Sequence, residues 1–320
     1  MHSLEAAHSK LIAVLHPSNR RAFLGGLAGI ALAHRAFAQA SSVPLEAKKL
    51  TDNFLLITGA GGNVLAVIGS DGVLLVNGGS AERSAELLKL VAEHSGGKPV
   101  QVLFNTCWHP QNTGSNEALG KAGAKIIAHE NTKLWLGTEI DCGWQKRTYE
   151  PNPKASLPNQ PFYSGDQKIM FGKQPIEYGY MPQAHTDGDI YVYLPGPNIL
   201  AAGDVVSVGS YPIVDYTTGG WLGGMVEGQK TLLKVTNADT RIVPGSGPVM
   251  TQADLDAEQQ MLAMLKDRFA KLMKQGLGPK EMVAAAPTKD FDDEWGNPEL
   301  FIELCYRGMW GHVRELGGIV

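Results

Sequence analysis

Hydrophobic positions along this chain fall into short continuous runs, interrupted by stretches with helical spacing, and the rhythm occurs twice. In the first half, Phe54-Leu55-Leu56-Ile57, Asn63 to Ile68 and Gly72 to Val76 are apolar and largely β-branched, with a turn at Gly69-Ser70-Asp71-Gly72. Ser80 to Glu93 then sets Leu87, Leu88, Leu90 and Val91 at helical spacing, with Ser80 placed to cap the helix. Val100 to Phe104 reads as a buried strand, Glu117 to Ala122 as a short helix, and Lys125 to Ala128 as a strand before a helix from Asn131. Residues 141–166, with Pro151, Pro153, Pro158 and Pro161, form a long polar connection expected to act as a lid over a site. The second half gives strands at Gln174 to Tyr180, Ile190 to Leu194, Ile199 to Ala201 and Arg241 to Pro244, and a helix at Trp221 to Val235. Thr251 to Leu272 is an amphipathic helix, and Asp292 to Leu316 is expected to be another. Two similar strand-then-helix halves imply an α+β fold, two sheets packed face to face with helices outside.

The N-terminus departs from this pattern. Ser18-Asn19-Arg20-Arg21-Ala22-Phe23-Leu24 sets paired arginines before a short apolar run, Ala22 to Ala33. Small residues follow in Ala36-Phe37-Ala38-Gln39-Ala40. This resembles a twin-arginine (Tat) export signal with cleavage after Ala38 or Ala40, and implies a periplasmic or secreted protein. Residues 1–40 are then a signal peptide, and 41–320 a single domain with a helical C-terminal tail. After the N-terminus no second long apolar segment occurs, so no membrane span is expected once the signal is removed.

Composition narrows the partners. The 320 residues are 43% hydrophobic with 38 glycines, which suits a globular chain. A net charge of −4, without a basic run or basic-aromatic stripe, excludes nucleic acid as the main partner and leaves a small-molecule substrate or ligand. Oligomeric state is not encoded in any feature of the sequence. Three cysteines occur, Cys107, Cys142 and Cys305, so in an oxidising compartment at least one is unpaired or bound to metal. Cys107 has two readings, a metal ligand or a disulfide partner of Cys142.

Candidate chemistry gathers at strand ends. Cys107-Trp108-His109-Pro110-Gln111-Asn112 opens from the strand ending at Phe104, where loops commonly carry ligands. Similar polar clusters are Asn77-Gly78-Gly79, Ala184-His185-Thr186-Asp187-Gly188-Asp189, Gly203-Asp204 and Val243-Pro244-Gly245-Ser246-Gly247-Pro248. Asp187 and Asp189 either orient His185 or lie in a solvated turn, and His129, just after a strand, reads as structural. Tyr211, Asp215 and Trp221 lie in a glycine-rich loop after Asp204 and are candidates to line a pocket. Gly61-Gly62-Asn63 is a turn rather than a phosphate cradle, because no helix follows it, and no Gly-x-Ser-x-Gly elbow is present.

In this order and spacing, the clusters resemble the metallo-β-lactamase superfamily over about residues 47–275. The resemblance implies an αββα sandwich with two adjacent metal sites. The first site corresponds to Cys107, His109 and His185, and the bridging carboxylate to Asp204. The second site's own ligands correspond to Gln111, Asn112 and Ser246, and the carboxylate of the first strand end to Asn77. Every position of the first site can still bind metal, with Cys107 offering thiolate for imidazole. The second site's positions hold neutral amides or a hydroxyl, poor ligands for a divalent ion of intermediate softness. The resemblance therefore implies a hydrolase-like protein with one zinc or iron ion, or a metal-free binding protein on the same fold. The family also includes mononuclear iron oxygenases of persulfides, which carry His where Cys107 stands.

Overall fold

The computed structural model describes residues 43–313; the twin-arginine segment lies outside them. Six strands come first among the described residues: β1 (Glu46–Thr51), β2 (Phe54–Thr58), β3 (Val64–Ile68), β4 (Val73–Val76), β5 (Val100–Phe104) and β6 (Lys125–His129). A hairpin of β7 (Ile140–Cys142) and β8 (Arg147–Tyr149) follows, and then β9 (Gln160–Phe162). These build a seven-stranded sheet in the order β1-β2-β3-β4-β5-β6-β9, antiparallel as far as β4 and parallel from β4 to β9. The remaining strands are β10 (Asp166–Phe171), β11 (Gln174–Met181), β12 (Asp189–Leu194), β13 (Ile199–Gly203) and β14 (Arg241–Pro244). They form the second sheet in sequence order, parallel only between β13 and β14.

Strand alternation sorts the side chains into layers. Phe54, Leu56, Leu74, Val76 and Phe104 of the first sheet share a core with Ile176, Val192, Ile199 and Ala201 of the second. Their strand neighbours Leu55, Ile57, Val73, Leu75 and Leu103 face the other way, onto Leu87 and Val91 of the helix Ser84–Ser95. Likewise Leu200, Ala202 and Ile242 pack on Met225 and Leu232 of the helix Leu222–Val235, and on Leu255, Leu262 and Phe269 of the helix Gln252–Lys274. The result is the expected αββα sandwich. Thr251 caps the last of these helices: its hydroxyl accepts from the Asp254 backbone N–H, and the Asp254 carboxylate accepts from that of Thr251. Among the described residues no helix is long and apolar enough to cross a membrane.

Several local expectations change. Ser80 does not cap a helix with its side chain; a 3-10 turn, Ala81–Arg83, intervenes before Ser84–Ser95. Residues 141–166 are not a free lid. They hold the β7–β8 hairpin, and β9 joins the first sheet beside β6, aided by Asn159, whose side chain accepts from Ile126 N–H and donates to the Ala124 carbonyl. The expected helix from Asp292 to Leu316 is two, Asp292–Trp295 and Glu299–Trp310, broken at Gly296-Asn297-Pro298. Gly296 has φ +81° and Pro298 lacks the N–H that would continue the ladder. Leu316 lies outside the described residues. Strand β10, an edge strand with mostly exposed side chains, was not anticipated, because Asp-Gln-Lys-Ile-Met-Phe shows no apolar-polar alternation.

Candidate metal centre

Four donor side chains meet at the ends of strands from both sheets. Cys107 and His109 lie in the turn after β5, which the short helix Pro110–Thr113 continues; Pro110 fixes the first helical φ. His185 precedes β12, and Asp204 follows β13. The thiol Sγ of Cys107 stands 3.4 Å from His109 Nδ1 and 3.5 Å from Asp204 Oδ2. His185 Nε2 lies 3.0 Å from His109 Nδ1 and 3.9 Å from Asp204 Oδ2. All four ligand atoms fall within 4.8 Å of one another. Cys107, His109 and His185 are buried, and Asp204 keeps 16% of its side chain exposed.

Neighbouring groups hold this arrangement. Ile213 O can only accept, so His185 Nδ1 donates to it at 2.7 Å and Nε2 turns its lone pair toward the cluster. His109 Nε2 faces Asp215 Oδ2 at 3.4 Å and makes no closer hydrogen bond. Asp215 is fully buried and also accepts from Thr218 Oγ1 at 2.7 Å, Thr217 N at 3.2 Å and Trp144 Nε1 at 3.2 Å. On the other side of the turn, Trp108 Nε1 donates to Thr218 Oγ1 at 3.0 Å, and the Trp108 ring stacks on His109 with centroids 4.4 Å apart.

The electrostatics follow from burial among carboxylates. Burial, and then the Asp204 charge, push the Cys107 thiol well above its ordinary range. Burial lowers His109, with the Asp215 hydrogen bond opposing it. Burial also works to lower His185, but the Asp204 and Asp189 carboxylates outweigh it and the net shift is upward. Asp215 lies below the usual carboxylate range: burial opposes this, but the facing His109 ring and the Thr218 hydroxyl prevail.

The sequence candidates divide clearly. Cys107, His109, His185 and Asp204 come together. Asn112 does so in a different role, since its amide donates to Asp204 Oδ2 at 2.7 Å and to Cys107 Sγ at 3.1 Å. Ser246 is exposed, in a loop whose Gly245 packs so closely on Asp204 that a Cβ there would collide with the carboxylate. Gln111 is partly buried and lies beside Gly62.

Asn77 is not a pocket residue. Its Oδ1 accepts from Thr106 N at 2.9 Å and Thr106 Oγ1 at 3.0 Å, which ties the end of β4 to the turn that carries Cys107. Tyr211 instead stacks on Phe301, donates to Asp292, and lines a cavity of about 250 Å³ that none of the four donors reaches. Trp221 packs against the His312 ring. Asp187 and Asp189 do not orient His185. Asp187 accepts from Trp135 Nε1 at 2.6 Å, while Asp189, pushed up to about 7 by burial, accepts from Thr186 N and Oγ1. All three cysteines are free, so the Cys107–Cys142 pairing does not form. His129 is structural, as expected: it stacks on Tyr180, accepts from Asn131 N and donates to Tyr163 O.

The sequence matches the metallo-beta-lactamase superfamily over residues 57–267. The chain belongs to the metallo-beta-lactamase superfamily. A metallo-beta-lactamase from Pontibacter korlensis is 22% identical, covers 69% of this chain and 99% of its own length, and superposes with a TM-score of 0.56. The DIM-1 metallo-beta-lactamase gives 20%, 69% and 98%, with a TM-score of 0.56. The stereoselective inverting sec-alkylsulfatase Pisa1 from Pseudomonas sp. is 15% identical, covers 84% of this chain and 50% of its own, and has a TM-score of 0.64. At such identities these structures share the metallo-beta-lactamase fold with this chain.

Members of the metallo-beta-lactamase superfamily usually bind metal, and the donors present fit one ion. A thiolate, two imidazoles and a carboxylate make a four-ligand set for zinc, and the separations of 3.0–3.9 Å between neighbouring donor atoms match the edges of such a shell. The superfamily's second metal does not fit. Asn112 aims amide hydrogens, not lone pairs, at the thiol and carboxylate, and Ser246 points to solvent.

Proposed function

We propose that this chain is an exported, hydrolase-like protein that holds a single zinc or iron ion between Cys107, His109, His185 and Asp204. Its substrate would be a small ester, amide or sulfur-containing compound. The convergence of a thiol, two imidazoles and a carboxylate within 4.8 Å at the joined ends of two sheets carries the reading. An ion bound there supplies Lewis-acid polarisation and a water of lowered pKa. Four protein ligands close a tetrahedral shell, whereas catalysis needs an open position. Asp204 is the donor with appreciable exposure, so a substrate would approach a bound ion from its side. Gln111 cannot take a proton where the superfamily carries a carboxylate, so β-lactam hydrolysis is expected to be weak. The export reading rests on Arg20-Arg21 and the Ala22 to Ala33 run.

Metal analysis of the full chain, purified without added metal, tests the central claim. About one equivalent of zinc or iron is expected, lost in His109→Ala. Metal content near zero, unchanged by that substitution, would refute it. Export is tested by cell fractionation: Arg20→Lys with Arg21→Lys should retain the protein in the cytoplasm.

A second reading, a metal-free periplasmic binding protein, is favoured by one observation: the Asn112 amide already pairs with both the Cys107 sulfur and the Asp204 carboxylate. It predicts that chelators leave the melting temperature unchanged.

A further inference from the structure

We propose that Asp215 is a positioning residue for His109, and that Ile213-Val214-Asp215 is one template that presents both imidazoles of the cluster in the metal-ready orientation. The proposal rests on the single-metal reading above. It starts from a coincidence in the chain: the groups that contact the outward nitrogens of His185 and His109 are two residues apart, the Ile213 carbonyl and the Asp215 carboxylate.

Each group dictates where a proton sits. The Ile213 oxygen accepts from His185 Nδ1, so His185 Nε2 faces the cluster as a lone pair. Asp215 Oδ2 faces His109 Nε2, a buried nitrogen with no closer partner, and a carboxylate oxygen there calls for a proton on Nε2. His109 Nδ1 is then free to present its lone pair, 3.0 Å from that of His185. Two lone pairs held at that separation repel, so a shared proton or a metal ion must lie between them, and the template favours a bound cation at that point. A carboxylate behind a metal-binding histidine fixes ring orientation and strengthens the ligand.

The template is itself anchored from several sides. Asp215 N donates to the His185 carbonyl at 2.9 Å, so the segment is hydrogen-bonded to the residue it orients. The remaining Asp215 bonds reach Trp144, Thr217 and Thr218, and Thr218 in turn accepts from Trp108, next to His109. Two residues before Ile213, Tyr211 joins the segment to Asp292 and Phe301 of the C-terminal helices. Those helices therefore buttress the site without touching it.

The test is Asp215→Asn, read by zinc affinity and by nitrogen NMR of the histidine rings. In the wild type, His109 should carry its proton on Nε2 and His185 on Nδ1. In the variant, His109 should shift to the Nδ1-protonated tautomer while His185 stays unchanged, and the zinc Kd should rise about 10- to 100-fold. Asp215→Glu should recover part of that loss. A Kd within threefold of wild type, or a wild-type His109 bare at Nε2, would overturn the proposal. If Asp215→Asn does not fold, the wild-type tautomers decide alone. A wild type that binds no zinc would instead sink the single-metal reading, and the tautomers of the metal-free protein would still report on Asp215.

Discussion

Replacing Glu258 with glutamine should stabilise the protein above neutral pH and leave it almost unchanged near pH 5. Glu258 sits in the helix Gln252–Lys274 with 1% of its surface exposed. Its Oε1 accepts from Ser207 N at 3.0 Å, while Oε2 is buried without a hydrogen bond. Gln229 lies within hydrogen-bond reach, but its Nε2 is committed to the Val205 carbonyl at 2.9 Å, and its Oε1 is also unpaired. A proton on Glu258 can satisfy both orphan oxygens. Burial accordingly raises this carboxyl from 4.5 to about 8, with the Ser207 and Gln229 hydrogen bonds opposing, and no charged group contributes. Because the folded value is the higher one, the stability that the neutral acid contributes is complete below about pH 4.5 and is lost as pH rises toward 8. At about 1.4 kcal/mol per unit, the loss is roughly 3 kcal/mol at pH 7 and 4–5 kcal/mol above pH 9. Glutamine keeps an acceptor for Ser207 and brings a permanent donor for Gln229. Thermal melts of Glu258→Gln and wild type across pH 5 to 9 should therefore diverge, with the variant higher by on the order of 5–10 °C at pH 8. A difference independent of pH, or a variant less stable at pH 8, would refute the reasoning.

Two further substitutions probe the scaffold under the site. Asn63→Ala removes the side-chain bonds to the Pro244 and Gly247 carbonyls, each 2.9 Å, and should cost about 1–3 kcal/mol in urea denaturation. A cost under about 0.5 kcal/mol would show that water replaces both bonds. Gly114→Ala places a Cβ against the backbone of Gly79, Ser80 and Ala81, which cannot yield as a flexible side chain would, so soluble expression should fall sharply; a normally stable variant would count against this packing.

The sandwich was legible because strands buried on both faces leave continuous apolar runs, as in Leu55 to Ile57 and Val73 to Val76, and these bear directly on the layers they enter. The four donors were legible through the resemblance, because the polar clusters at the strand ends follow the order and spacing of the superfamily's motifs. Asp215 was visible only as one residue of a glycine-rich loop. Its partner His109 lies far away in sequence, and no periodicity encodes so distant a contact. The partner of His185 was hidden for the same reason: adjacent Asp187 and Asp189 are taken by Trp135 and Thr186, and a distant main-chain carbonyl accepts from the ring. Strand β10 escaped notice because an exposed edge strand buries too little to show alternation.

The turn at Asn63 has a kinetic consequence. Its backbone N–H and side chain bond to Pro244, Gly245 and Gly247, about 180 residues along the chain, beside the loop that packs on Asp204. Pairings of such long sequence separation form late, since the closure entropy of the intervening chain comes before any reward. Cys107 and His109 can thus be in place on the first sheet well before His185 and Asp204 arrive. An ion that needs all four donors would therefore be captured only after the second sheet has docked on the first.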